Sequence, residues 1–397
     1  SLIPPFIIKN TTKSSNFYSA IMKWIRKKSM SSIREMFPTL DDVDQLREAI
    51  TSLNTSNFPS LRQRIKQLKY SDYCIIKEKC PHLSQFLTSK LFLELCNKVN
   101  HTVYQNDLVS HVAIQSYAVD YCIKLIQKDK KNVGSLTKTQ FIKFVQQISD
   151  EFEFIDDLSE SIEKGKILYC FYVTERFFVT LDPLKTGRIS IENIIASDLF
   201  HFLLKLAAEG NTSPNPFDDK TALLYMDEFM GMDSDKDGLI TKDDILRMPG
   251  TRFTVSFVDR IFDTIASSCM TDFGWYFRFK IAYSNLGKPW ANILFFDVMD
   301  IDENNELNET EVNYFFHDLS QDYADFYQRE HPPYENFSAE LFDICGATSL
   351  KISKAEFVNL TEASKFVKHL VDLAAFAKWE NNDTIPPRGA SYEDDDQ

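Results

Sequence analysis

A twelve-residue acidic segment, Asp233–Asp244, carries oxygen-bearing side chains at positions 1, 3, 5, 9 and 12. Gly238 stands at position 6, where such a loop turns sharply, and Leu239 at position 7 offers a backbone carbonyl. Apolar residues at helical spacing flank the segment. This is the pattern of an EF-hand, a helix–loop–helix unit that binds Ca²⁺. Its predicted ligands are Asp233, Asp235, Asp237, Asp244 and the carbonyl of Leu239.

A second segment, Asp300–Glu311, repeats the pattern. Asn305 replaces the glycine, which is tolerable because Asn adopts left-handed backbone more readily than most residues. In the first loop, Asp244 replaces the long glutamate usual at position 12, and the shorter carboxylate reaches an ion less well. The sequence therefore predicts one or two Ca²⁺ sites, the first of them weaker or more suited to Mg²⁺. The predicted ligands of the second loop are Asp300, Asp302, Asn304, Asn308, Glu311 and the carbonyl of Glu306.

Three further segments have the outline of such loops but lack essential ligands: residues 129–140, 182–193 and 345–356. Lys131 and Val133 occupy ligand positions in the first of them, and Leu184 occupies one in the second. EF-hands work in pairs that share a short strand contact, so degenerate loops can persist as structural partners of binding ones. The repeat is predicted to be helix–loop–helix throughout, with metal chemistry in two copies.

The composition favours helix-on-helix packing, with 44% hydrophobic residues and 33 phenylalanines against 11 glycines. The predicted fold class is all-α: a helical amino-terminal region followed by two EF-hand modules. The predicted domains are a basic region 1–150, modules 151–265 and 266–380, and an acidic disordered tail 381–397. No apolar run approaches the roughly 18 residues of a transmembrane helix. Seven scattered cysteines without a CxxC pair indicate reduced thiols in a cytosolic protein.

Charge is unevenly distributed along the chain, whose net charge is −14. Residues 1–140 carry 21 Lys and Arg against 11 Asp and Glu, whereas the remainder carries 23 against 47. This polarity suits acidic partners at one end and cations at the other. Nucleic-acid binding is not expected, because no reading motif accompanies the basic region.

Two amino-terminal stretches are candidates for partner binding. The apolar start Ile3-Pro4-Pro5-Phe6 is stiffened by its prolines and is expected to lie either on the protein's own body or on a partner. Residues 16–36 form a predicted basic amphipathic helix that contains Trp24. Such a helix serves a membrane surface, a calmodulin-like groove or an acidic partner, or simply has one buried and one solvated face. The predicted contact residues are Ile3, Pro4, Phe6 and Trp24.

Catalytic motifs are missing from the sequence. There is no nucleophile elbow, P-loop, HExxH or kinase signature. The seven histidines are spread along the chain, and the clustered carboxylates are explained by the cation loops. The sequence therefore predicts a protein that is not an enzyme.

From about residue 140 onward, the chain resembles the B″ class of regulatory subunits of protein phosphatase 2A. The resemblance is carried by residues 182–206, the first metal loop with Val258–Phe262 after it, the second loop through Phe316, and residues 351–366. Ile3–Phe6 is similar to the Ile-Pro-x-Phe start of that family. The resemblance implies a non-catalytic subunit that joins a HEAT-repeat scaffold and a catalytic serine/threonine phosphatase subunit. Its expected roles are the choice of substrates or location, tuned by calcium.

The expected location is the cytoplasm, as the cysteines indicate, and the resemblance adds the centrosome or spindle, since some members of this class act in cell-cycle control and at centrosomes. The alternative is a stand-alone EF-hand calcium sensor or adaptor that binds target helices or a membrane surface. The apolar faces argue against the sensor, because they are rich in phenylalanine and poor in methionine. Adaptable target grooves favour methionine. Membrane binding would fade with salt.

Overall fold

The computed structural model describes residues 37–56, 67–131, 133–162, 164–211, 214–264, 270–328, 330–347 and 349–381. Helices dominate these residues, and the strands are only two or three residues long, so the predicted all-α class is confirmed. None of the described helices has the length and apolar character needed to cross a bilayer. Ile3, Pro4, Phe6, Trp24 and the acidic tail lie outside the described residues, and the predictions made for them stay predictions.

The α-helices are α1 Leu40–Ser56, α2 Tyr70–Lys79, α3 Ser89–Leu95, α4 Gln105–Lys128, α5 Lys138–Ser149, α6 Ile155–Ser161, α7 Gly165–Leu181, α8 Ile191–Ala196, α9 Asp198–Glu209, α10 Asp219–Met232, α11 Lys242–Leu246, α12 Val255–Thr264, α13 Phe273–Ser284, α14 Pro289–Met299, α15 Glu309–Tyr327, α16 Tyr334–Ile344, α17 Lys354–Val358, α18 Ala363–Val371 and α19 Leu373–Asn381. The strands are β1 Gln67–Leu68, β2 Val103–Tyr104, β3 Ser135–Thr137, β4 Arg188–Ser190, β5 Leu239–Thr241, β6 Met270–Asp272, β7 Glu306–Asn308 and β8 Lys351–Ser353.

The described residues form two compact units. The first comprises the described residues up to Ser161 together with Ile189–Asp219, and its central element is α4, against which α1, α5 and α9 pack. The second comprises Ile162–Arg188 and the described residues from Lys220 onward. Within it, α7 packs on α13, and α14 packs on α12, α13 and α17. Both metal loops belong to this second unit.

Short strands pair two by two, which is the arrangement that EF-hands require. The pairs are β1–β2, β3–β4, β5–β6 and β7–β8. In the last pair, Leu307 lies opposite Ile352, so position 8 of the second metal loop meets position 8 of the degenerate loop 345–356. Both side chains are buried, so a degenerate loop here is the structural partner of an intact one, as the repeat pattern allows.

The first metal loop has a partner that the sequence did not reveal. Its strand β5 pairs with β6, and Ile240 lies opposite the buried Thr271. The predicted domain boundary between residues 265 and 266 falls between β5 and β6. One pair of helix–loop–helix units therefore extends across that boundary. The aromatic run after β6 forms α13, where Phe273, Tyr276, Phe277 and Phe279 are buried, as expected of core residues.

His369 makes the stability of the second unit depend on pH. Its ring stacks on Trp379 at 4.5 Å, and burial, helped by Lys365 and Lys368, lowers the pKa of His369 to about 4. Because the unfolded chain keeps a pKa near 6.5, it binds more protons between these values, so stability falls as the pH drops from about 6.5 towards 4. We expect His369→Phe, which keeps the stack, to remove about 1 kcal/mol of the loss between pH 7 and 5, allowing for partial exposure. Urea unfolding at both pH values would measure this, and an unchanged difference would contradict it.

Candidate metal centres

The second metal loop gathers three carboxylates. Asp300 caps the C-terminus of α14, Asp302 follows it, and Glu311 stands in the first turn of α15. One ligand oxygen from each of the three lies within 4.8 Å of the other two. Asp300 and Glu311 are 5% and 4% exposed, so two of the three charges are withdrawn from water. A multivalent cation would offset the cost of holding these like charges together.

Backbone amides fix the position of Glu311. Ile301 N donates to Glu311 Oε1 at 2.9 Å, and Asn308 N donates to Glu311 Oε2 at 3.0 Å. Asn308 in turn caps α15, because its Oδ1 accepts from Thr310 N. In this reciprocal capping arrangement, Glu311 belongs to the first turn of the helix while its side chain reaches back to the loop.

The first metal loop gathers its carboxylates only from positions 1, 3 and 5. One ligand oxygen from each of Asp233, Asp235 and Asp237 lies within 4.8 Å of the other two. Asp233 Oδ1 is buried and has no hydrogen-bond partner, while Asp233 Oδ2 accepts from Gly238 N at 3.0 Å. A buried carboxylate oxygen left without a donor costs free energy unless a cation is nearby. This orphaned oxygen fits a cation site in the loop.

Position 12 distinguishes the two loops. Asp244 is not part of the carboxylate cluster of its loop. Its Oδ2 accepts from Thr241 N at 2.8 Å and from Thr241 Oγ1 at 2.7 Å, and its Oδ1 is paired with Arg247 Nη2 at 2.7 Å. The shorter side chain thus serves the helix cap and a neighbouring arginine. This geometry agrees with the expectation that the Asp233 loop is the weaker site.

The pKa values of the loop carboxylates also distinguish Asp244 from the clustered residues. Burial, the largest cause, raises the pKa of Asp233, Asp300 and Glu311, and neighbouring loop carboxylates raise it further. Burial alone would also raise the pKa of Asp244, but hydrogen bonds from Thr241 and Arg247 outweigh it and hold that pKa below its usual range. Three carboxylates therefore lie where negative charge is unfavourable without a cation, whereas Asp244 is already compensated.

The backbone of both loops has the required shape. Gly238 and Asn305, the two residues at position 6, have φ values of 83° and 64°, so asparagine adopts the left-handed conformation as predicted. In each loop, the amide at position 6 donates to the aspartate at position 1. Two of the degenerate loops keep this bond, because Gly134 N donates to Asp129 and Gly187 N donates to Asp182. The first aspartate therefore shapes the loop even where no metal site survives.

Some predicted ligands also accept hydrogen bonds within their own loops. Asn304 Oδ1 accepts from Glu306 N, and Asp237 Oδ1 accepts from Leu239 N, each at 2.7 Å. Leu239 and Glu306 are the first residues of β5 and β7. The structure thus brings together Asp233, Asp235 and Asp237 in one cluster and Asp300, Asp302 and Glu311 in the other. The full ligand sets stay predictions.

Sequence reasoning missed the partner strand β6. The segment before it carries no acidic ligand pattern, and Trp275 stands where a position-12 carboxylate would be. A usable signal was Asp272, whose side chain accepts from Trp275 N and caps α13. A capped helix some 30 residues after a metal loop is where a paired EF-hand places its second exiting helix.

An oxygen-only donor set suits hard cations such as Ca²⁺ or Mg²⁺. The orphaned oxygen of Asp233 and the withdrawn charges of Asp300 and Glu311 fit such an ion. Ca²⁺ accepts the looser, higher coordination that twelve-residue loops provide, whereas Mg²⁺ demands a near-octahedral site. The residues present could therefore hold a divalent metal at either loop.

Comparisons with known proteins give consistent results. No protein-family model matches the chain. The gamma form of the B″ regulatory subunits of serine/threonine-protein phosphatase 2A, from rat and from human, is 25% identical over 359 residues, covering 87% of this chain and 77% of the relative. The probable B″ regulatory protein TON2 of the same phosphatase, from Arabidopsis thaliana, is 19% identical over 351 residues, covering 81% and 70%.

A solved structure also has a similar fold. A chain of a PP2A PR70 holoenzyme, described as diCa, aligns with a TM-score of 0.58 at 20% identity, covering 66% of this chain and 98% of that chain. At this level of identity the likeness concerns the fold.

Proposed function

We infer that this chain is a B″-class regulatory subunit of protein phosphatase 2A. The observation that carries the inference is the alignment with B″ subunits over 87% of the chain, far beyond the metal loops. The resemblance found in the sequence is confirmed by these relatives. They are regulatory, not catalytic, subunits, which supports the prediction that this chain is not an enzyme.

The proposed partners are the scaffold and catalytic subunits of the phosphatase. In such an assembly the catalytic metals and the nucleophilic water belong to the catalytic chain, and this chain contributes substrate choice or targeting. The support is the kinship with B″ subunits and the likeness in fold to a chain of a PP2A holoenzyme. A cytoplasmic location, at the centrosome or spindle, stays a prediction.

The proposed cofactor is Ca²⁺ at the Asp300 loop and, more weakly, at the Asp233 loop, where Mg²⁺ competes better. The supporting features are the two carboxylate clusters and the contrast between Glu311 and Asp244 at position 12. When bound, the cation supplies charge neutralisation and loop order. The chain's own residues set the turn, cap the exiting helices and exclude water from Asp300 and Glu311.

Reconstitution tests the proposed function. The purified chain is mixed with a phosphatase scaffold–catalytic pair and run by size exclusion in calcium and in chelator. Co-elution at equal stoichiometry is the expected result, and a shift between the two buffers would show that calcium controls assembly. Separate elution in both buffers would contradict the regulatory-subunit assignment.

The sensor alternative gains little support from the described residues. An adaptable groove needs exposed methionines, but Met226, Met232, Met248 and Met299 are buried around the metal hands. Met230 is 46% exposed and stands on the outside of α10. The helices that flank the two loops are packed on their own aromatic cores, which is typical of a fixed structural element and not of an adaptable groove.

Deleting residues 1–36 tests the proposed contact residues Ile3, Pro4, Phe6 and Trp24. We expect the deletion to weaken binding to the scaffold–catalytic pair by about tenfold, the effect of losing one small apolar anchor. Biolayer interferometry would measure the affinity, and circular dichroism would check the fold. Unchanged affinity, or loss of the helical signal, would contradict the prediction.

A further inference from the structure

Helix α12 contacts both metal hands through two adjacent residues. Asp259 Oδ1 pairs with Lys242 Nζ at 2.6 Å, and Lys242 begins α11, the exiting helix of the first metal loop. Arg260 Nε donates to Val298 O at 3.2 Å, and its Nη2 donates to Asp300 O at 3.4 Å. Asp300 is the first ligand of the second loop. One residue of α12 thus holds the exit of one loop, and the next holds the entrance of the other.

Arg260 lies where a helix end needs a cation. Val298 and Asp300 belong to the last turn of α14 and its cap, whose carbonyls have no partner within the helix. A guanidinium there satisfies these acceptors and interacts favourably with the helix dipole. A filled second loop would still carry three carboxylates against a divalent ion. Its net negative charge would keep Arg260 in place.

The position of α12 is fixed by further contacts. Ser256 N donates to Asp318 Oδ2 at 2.9 Å, so the exiting helix of the second loop caps the start of α12. Near its other end, the Phe262 ring packs on Trp275 of α13 with centroids 5.2 Å apart, and Lys242 lies over the same ring. Because α13 follows β6, which pairs with β5, α12 contacts both halves of the first hand pair as well as the second loop.

We propose that Asp259 and Arg260 couple the two loops, so that filling the Asp300 loop strengthens cation binding at the Asp233 loop. This rests on the proposed calcium binding. An ion at the second loop orders Asp300 and, through Arg260, α12. Asp259 then holds Lys242 and the helix that carries Asp244, so the first loop loses less freedom when it binds. Coupling of binding is reciprocal and typically reaches fivefold or more.

A cycle of variants tests the coupling by calorimetric calcium titration of the full chain. Asp300→Asn with Glu311→Gln blocks the second loop, so the remaining isotherm reports the first. We expect this block to lower the calcium affinity of the first loop about fivefold or more when Arg260 is present. In an Arg260→Gln background we expect the affinity to fall by less than about twofold. Lys365→Gln is the matched control, because it removes one positive charge from an exposed pair with Glu362 that involves neither loop.

Each outcome decides a separate point. If both loops bind calcium but the affinity of the first loop is the same whether or not the second loop is blocked, the coupling is overturned and calcium binding stands. No calcium binding in the unaltered chain would overturn the metal proposal and the coupling with it. If Arg260→Gln unfolds, Asp259→Asn decides, because it breaks the pair with Lys242 and leaves the bonds to Val298 and Asp300. It is expected to abolish the dependence, and full retention would overturn the role of the Asp259 contact.

Discussion

Asp300→Asn combined with Glu311→Gln is expected to remove one calcium equivalent and the stabilisation that comes with it. Both side chains lie in the carboxylate cluster of the second loop, where each accepts backbone amide hydrogen bonds on both of its oxygens. In each new side chain one oxygen still accepts, whereas the NH2 group faces a backbone N–H, so part of the stability is lost in chelator as well. The apparent stabilisation by a ligand at 100 times its Kd is about 2.7 kcal/mol. Calorimetry would count the equivalents, and thermal unfolding in calcium and in chelator would measure the lost stabilisation.

The matched control is Glu303→Gln with Glu309→Gln. These exposed residues stand at positions 4 and 10 of the same loop, so the pair removes the same charge without touching a predicted ligand. Its stoichiometry and its calcium-dependent stabilisation should stay close to those of the unaltered chain. An unchanged stoichiometry in the Asp300 and Glu311 variant would contradict the assignment of this site.

Asp244→Glu is expected to tighten calcium binding at the first loop by about tenfold, equivalent to about 1.4 kcal/mol. Glu311 shows in this chain how a glutamate at position 12 accepts the capping amide and still reaches the carboxylate cluster. The added methylene would let residue 244 supply two oxygens to the ion, as position 12 normally does. Selectivity should shift from Mg²⁺ towards Ca²⁺.

The measurement is a titration in the background that blocks the second loop, so that one site remains. Asp243→Glu is the control, since it adds the same methylene at the neighbouring exposed position 11. Its affinity should not change. An equal or weaker affinity in Asp244→Glu would contradict the prediction that the short side chain at position 12 limits the first loop.

The loops could be predicted from the sequence because their chemistry is local. Ligand spacing, the turn at position 6 and the apolar residue at position 8 all act within twelve residues. These features located both carboxylate clusters and the position-8 residues Leu307 and Ile352, which the structure pairs. The helical class followed for a similar reason, since an apolar stripe at helical spacing has few other ways to be buried.

What the sequence did not predict depends on competition and on distance. Position 12 of the first loop was expected to be weak because aspartate is short. The pairing with Arg247, three residues on, could not be foreseen, because it depends on which partner a rotatable side chain selects. Strand β6 was hidden because its loop kept the pairing and lost the ligands. The contacts of Arg260 span about 40 residues and leave no periodic signal.

Counting bound ions tests whether the Asp233 and Asp300 loops both hold a cation. Native mass spectrometry of the chain, freed of metal and then given calcium, would report the number bound to each folded molecule. The expected result is two calcium ions. The ion at the second loop, which binds more tightly, should be lost in the Asp300 and Glu311 variant. A folded chain that binds no calcium at millimolar concentration would contradict the assignment of both loops as cation sites.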